Sequence, residues 1–265
     1  MVRRQREEIT AQQILVDIAR KGRAIKRSDI AKARSDGAMI WTQTYDGRAF
    51  NLLDPDPADI CFREIATTLS QINRYAGASR APVSVALHTL IAADNAPPSL
   101  KAHVLLHDAH EAYIGDITTP TASALARLAD DRNAPLCVRP GAEVVREALA
   151  KLKFGIDAAI YEAADLPPPD ARMQAEIKHA DRIALMTERR DFLAAPPRPW
   201  VLELEAVAPA KRVYRAGTFG RTPVDVAGAL YDEFRRWLPA FGGGAEPQRR
   251  RRATSGAAAH PKEQA

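Results

Sequence analysis

The chain has 265 residues, 46% of them hydrophobic, and a formal net charge of +5. That length permits one or two domains with a sizeable core, and no run of about 18 apolar residues is present to cross a bilayer as a helix. The start, MVRRQREEITAQQILV, lacks the apolar core and cleavage site of a secretory leader, and the two cysteines, Cys61 and Cys137, make no disulfide framework. A cytoplasmic location is expected.

The sequence pI of about 9.3 suggests nucleic acid until the charge is placed. Residues 1–36 carry +5 and residues 242–265 carry +3 of a whole-chain +5, so the middle is −3. The basic character belongs to the ends. A run such as 249-RRRR-252 reads as a solvated tail, and contact with nucleic acid is expected only through these ends.

In chain order, residues 1–37 form an N-terminal extension, partly helical over 7-EEITAQQILVDIARKG-22 or disordered. The segment 39-MIWTQTYDGRAFNLL-53 alternates around Asp46-Gly47, which predicts a hairpin with a two-residue type I′ turn. Asp56 and Pro57 suit the start of a helix reaching Gly77. A second helix is predicted from about Pro82 through 83-VSVALHTLIAAD-94, and a third from about Ser99 to Tyr113. Weaker helical patterns cover 120–130 and 141–163. Asp170 caps a long helix over 171–193, and a last helix is expected at 223–238. Residues 242–265 have the composition of a disordered tail. The predicted fold class is all-α with one short hairpin, in a single domain over 38–241.

Several polar residues interrupt apolar helix faces. His88 sits three residues after Val85, with Leu87, Leu90 and Ile91 around it. His107 and Asp108 follow Val104 and Leu105 by three, and Glu111 lies four from His107, so all three share a face of a continuous helix. Asp181 is four residues after Ile177 and four before Leu185. A polar group buried without a partner costs ~2–7 kcal/mol, and a bare carboxylate more. One divalent cation would compensate several of these groups together, since two imidazoles and two carboxylates make a fitting N/O ligand set for Co, Mn, Fe, Ni or Zn.

The segments 69-LSQINRYAG-77, 83-VSVALHT-89, 105-LLHDAHEAYIGDITTP-120 and 176-EIKHADRIAL-185 occur in an order that resembles the HD-domain metal-dependent phosphohydrolases. The similarity covers roughly residues 38–195 and is strongest to the bacterial 5′-deoxynucleotidases and their prophage relatives. It implies an HD-domain helical bundle with His88, His107, Asp108 and Asp181 as metal ligands. Glu111 would match the residue that positions and deprotonates the attacking water, and Asp116 a second catalytic acid. Arg74 and Tyr75 would match an Arg-aromatic pair on the substrate, where the best-known deoxynucleotidases carry tryptophan in place of Tyr75. His103, His110 and His179 fall outside the implied ligand set.

The activity so implied is release of phosphate from deoxynucleoside 5′-monophosphates by a metal-activated water. Two alternatives stay open: a dNTP triphosphohydrolase, and a non-catalytic nucleotide or nucleic-acid binding module acting through the basic ends. A nucleotide is the expected small-molecule partner, no membrane partner is expected, and the resemblance is compatible with a homodimer.

Overall fold

The computed structural model describes residues 39–130 and 140–243. The expected helix at 7–22, Cys137 and the tail beyond 243 lie outside the described residues.

Strand β1 (Trp41–Gln43) pairs antiparallel with β2 (Ala49–Asn51), placing Thr42 opposite Phe50. The turn is not the expected two-residue one. Thr44 donates its N–H to the Arg48 carbonyl at 2.8 Å, leaving residues 45–47 as a three-residue loop. Only Gly47 there has positive φ, at 83°, whereas a type I′ turn needs two such residues. The hairpin is tied down by Glu64, which is 4% exposed. Its carboxylate accepts from Thr44 Oγ1 (3.1 Å), the Asp46 N–H (2.9 Å) and Arg48 Nη2 (2.6 Å). Burial favours a proton on Glu64, but these donors outweigh it and hold its pKa low.

Asp56 caps only a short 3-10 turn, Pro57–Asp59. The helix proper is α1 (Phe62–Gln71), and it stops at an extended Ile72. Tertiary pairing ends it earlier than expected. Arg74 donates its N–H to the Val83 carbonyl (2.8 Å) and Val85 to that of Ile72 (3.0 Å). This pins residues 72–74 alongside the approach to the next helix. The following turn, Arg74–Gly77, holds Tyr75 and Ala76 at φ 58° and 51°, a left-handed region that costs a non-glycine residue ~1–2 kcal/mol.

Helix α2 (Val85–Asp94) starts at Ser84, whose hydroxyl accepts from the Leu87 N–H, and every residue from Val85 to Ala93 is buried. Such an all-round apolar helix belongs in the interior. The expected third helix is broken into α3 (Lys101–Leu106) and α4 (Glu111–Ile114). Between them the bonds shorten to i→i+3: Ala109 N–H to Leu106, Glu111 to Asp108 and Tyr113 to His110, each at 3.0 Å. The chain continues through α5 (Thr119–Ala129), α6 (Gly141–Ala163), α7 (Ala171–Asp191), α8 (Leu202–Glu205) and α9 (Pro223–Trp237).

The architecture is thus mostly helical with one short hairpin, as predicted. Helices α1, α3, α7 and α9 pack around α2, while α5 and α6 pair with each other. Aromatic contacts close the core. Phe50 stacks on Tyr113 at 3.8 Å between ring centroids, and Phe62 meets Phe234 edge-on at 5.7 Å. No helix among the described residues is long and apolar enough to cross a membrane.

Candidate metal centre

The buried middle of α2 supplies His88, the tight turn after α3 supplies His107 and Asp108, and α7 supplies Asp181. The Nε2 atoms of His88 and His107 are 3.2 Å apart. Asp181 Oδ1 lies 3.2 Å from His88 Nε2, and Asp108 Oδ2 lies 3.2 Å from His107 Nε2 and 3.6 Å from His88 Nε2. His88, His107 and Asp108 present donor atoms all within 4.8 Å of one another, and Asp181 joins them through His88.

Outer hydrogen bonds decide which nitrogens face inward. His107 Nδ1 donates to the Val104 carbonyl at 2.7 Å, and His88 Nδ1 donates to Glu188 Oε1 at 2.6 Å. In the neutral rings both Nε2 atoms therefore carry lone pairs, directed at each other and at two carboxylate oxygens. Such a group of electron-rich atoms is suited to a cation in its midst. Bonds of about 2.0–2.2 Å to one ion would place ligand atoms ~3–3.5 Å apart, close to the spacings found. The residues fit a divalent metal ion, and the cluster could hold one.

The electrostatics agree. Burial and the Arg74 charge work against a proton on His88, yet the Glu188 and Asp181 carboxylates push its pKa up to about 10. Burial also opposes the Asp108 charge, but His107, His88 and Arg74 hold that carboxyl well below its ordinary range. The same balance, burial against the His88 bond and charge, lowers Asp181. In the metal-free centre the raised pKa favours a proton on His88.

Glu188 is the residue that sequence reasoning missed. It is fully buried on α7 and uses both oxygens: Oε1 on His88, Oε2 on Arg74 Nε (3.2 Å) and on the Tyr75 hydroxyl (2.5 Å). Burial disfavours its charge, but His88 and Arg74 lower its pKa all the same. The available signal was spacing, because Glu188 is seven residues beyond Asp181 and thus two turns along the same helix face. The surrounding 188-ERRD-191 reads instead as surface charge. Arg74 and Tyr75, brought to the site by the left-handed turn, are anchored by this carboxylate. Arg74 Nη1 also reaches Asp108 Oδ2 at 3.5 Å. Its Nη2 has no partner among the described residues.

Glu111 stands at the start of α4, 5% exposed, with Oε2 buried and unpartnered. Burial and the Asp108 and Asp116 carboxylates push its pKa up to about 8. Asp116 follows Gly115, whose φ of 77° and ψ of 166° suit only glycine, and it makes no hydrogen bond or ion pair among the described residues. Burial raises its pKa against the pull of Arg74. Lys153 on α6 lowers both Glu111 and Asp116 through its charge. His103 bonds the Pro167 carbonyl at 3.0 Å, away from the centre. His110 is buried against Asp157 and lies within the Asp108–Glu111 cluster, closer to the site than its position in the sequence implied.

No protein-family model matches the chain. It is similar to the uncharacterized protein YfdR of Escherichia coli K12, with 34% identity over 154 residues, covering 58% of this chain and 73% of the relative. An uncharacterized protein of Rhodobacter capsulatus is 31% identical over 160 residues, covering 56% of this chain and 70% of its own length. At that identity and coverage, the chain belongs to the family of Escherichia coli YfdR.

Proposed function

We propose that the protein is an HD-domain phosphohydrolase that releases phosphate from deoxynucleoside 5′-monophosphates. The observation that carries this reading is the grouping of two oriented imidazoles and two carboxylates beside an arginine and two acids of raised pKa. His88, His107, Asp108 and Asp181 would hold the cation, with Co, Mn, Fe, Ni and Zn all suited to the donor set. A bound divalent ion supplies Lewis-acid polarisation of the phosphoryl group and acidifies water.

The remaining groups divide the work. Arg74, held by Glu188, offers Nη2 to a phosphate oxygen as a charge-assisted donor. Burial and the Asp108 and Asp116 carboxylates favour the acid form of Glu111; beside a bound cation its carboxylate would be favoured instead, and in that form Glu111 takes the proton of the attacking water as general base. As the P–O5′ bond breaks, Asp116, whose pKa is raised by burial, gives a proton to the leaving oxygen. Water and nucleotide become inorganic phosphate and nucleoside. Tyr75 fixes the Arg74 turn through its bond to Glu188, beside the Arg74 guanidinium that would meet the substrate.

The test is product release from a panel of dNMPs, NMPs and dNTPs, after chelation and with Co or Mn restored. Phosphate from dNMPs only when metal is present is the expected result. Triphosphate from dNTPs would reassign the site to triphosphohydrolysis. No turnover by metal-loaded protein on any member of the panel would contradict catalysis and favour a nucleotide binder.

A further inference from the structure

A second group of donors lies beside the first and shares only Asp108 with it. Asp108, His110 and Glu111 each present one ligand atom, and these atoms lie within 4.8 Å of one another. All three come from the tight i→i+3 turn between α3 and α4. Asp108 and Glu111, three apart, would share a face in any helix; the tighter turn brings His110, two residues from Asp108, close to them as well.

Two features set this group apart from an ordinary acidic cluster. His110 is 4% exposed, and its Nδ1 donates to Asp157 Oδ1 at 3.0 Å. That bond leaves the lone pair of the neutral ring on Nε2, which is buried without a partner. Glu111 Oε2 is likewise buried without a partner. Buried polar atoms are nearly always satisfied, and of the four unpartnered ones among the described residues, two adjoin each other in this turn, beside the shared Asp108. An imidazole held by a carboxylate on its far nitrogen is the arrangement that metal-ligating histidines adopt.

We propose that Asp108, His110 and Glu111 form a second divalent-cation subsite, adjoining the first and sharing the Asp108 carboxylate. Asp157 is its positioning residue, fixing the His110 tautomer. Asp108 belongs to both groups, so the two ions would stand as neighbours, in the manner of two-metal sites with separations of about 3.5–4 Å. Hard, oxygen-tolerant ions such as Mn or Mg suit its two-carboxylate, one-imidazole composition. With this subsite filled Glu111 is a ligand; with it empty Glu111 is free to act as base. The subsite is defined by donors alone and does not rest on the phosphohydrolase reading.

The test is Mn(II) binding to the chelated full-length protein, counted by electron paramagnetic resonance with no substrate present. Wild type is expected to bind two Mn(II) per chain and to show the exchange-coupled spectrum of a neighbouring pair. His110→Ala should bind one, with the spectrum of an isolated ion. Asp157→Asn, a milder change outside both ligand sets, should weaken only the second equivalent, by about 10–100-fold. His88→Ala should lose the first equivalent and the coupling. Saturation of wild type at one Mn(II), two ions in His110→Ala, or two uncoupled ions in wild type would each overturn the proposal. These counts involve no turnover, so they stand or fall separately from the activity.

Discussion

Replacing Glu188 by glutamine tests the side chain that ties His88, Arg74 and Tyr75 together. The change is nearly isosteric, so packing in α7 is preserved and the removed quantity is one buried negative charge. That charge faces His88 Nδ1 at 2.6 Å, the Tyr75 hydroxyl at 2.5 Å and Arg74 Nε at 3.2 Å. The Arg74 side chain is only 12% exposed and keeps Asp108, at 3.5 Å, as its remaining ion-pair partner among the described residues. Breaking a buried ion pair from one side costs about 3–5 kcal/mol, because the other charge is left uncompensated. The amide also presents His88 with a weaker acceptor, and losing such an outer partner lowers metal affinity by about 10–100-fold. Urea unfolding of chelated protein should therefore show a loss of about 3–5 kcal/mol, and cobalt titration a correspondingly weaker site. If Glu188→Gln loses under ~1 kcal/mol, as an exposed pair would, and binds cobalt like wild type, the reasoning about this carboxylate is wrong.

Asp108→Ala and Asp181→Asn should lose tightly bound metal and turnover together, read by elemental analysis and phosphate release; turnover in metal-free Asp108→Ala protein would remove the centre from the mechanism. Glu111→Gln should keep metal in the first centre while turnover falls about 10²–10⁴-fold, the usual contribution of a general base. His88 gives a pH dependence whose sign follows from its raised pKa. Its contribution to metal-free stability is complete below the ordinary 6.5 and is lost as pH rises toward about 10. The melting temperature of chelated protein should fall across that window, while metal-loaded protein, which holds a cation without that proton, should not follow it. Phe234→Ala, at a fully buried ring packed on Phe62, should cost about 3–5 kcal/mol in denaturant unfolding.

Much of this was legible in the sequence because the signals were local. Apolar periodicity and caps located α2, α6, α7 and α9, and Asp170 does accept from the Met173 N–H at the start of α7. The four expected ligands converge because α2 is the central helix and α3 and α7 both pack on it. The misreadings arose where tertiary contacts overrode local pattern. The helix expected to reach Gly77 stops at Gln71 because residues 72–74 pair with 83–85. The helix expected over 99–113 breaks at His107 to aim side chains inward, and a helical wheel cannot foresee a change of pitch. Glu188 escaped notice because burial, which gives it meaning, is not a property of its own neighbourhood in the chain.

The most direct measurement is an anomalous difference map from a crystal of the full-length protein loaded with cobalt. The centre described here requires a peak bonded at about 2.0–2.2 Å to His88 Nε2, His107 Nε2, Asp108 and Asp181. Cobalt absent from that position, or bound elsewhere with both Nε2 atoms uncoordinated, would contradict it.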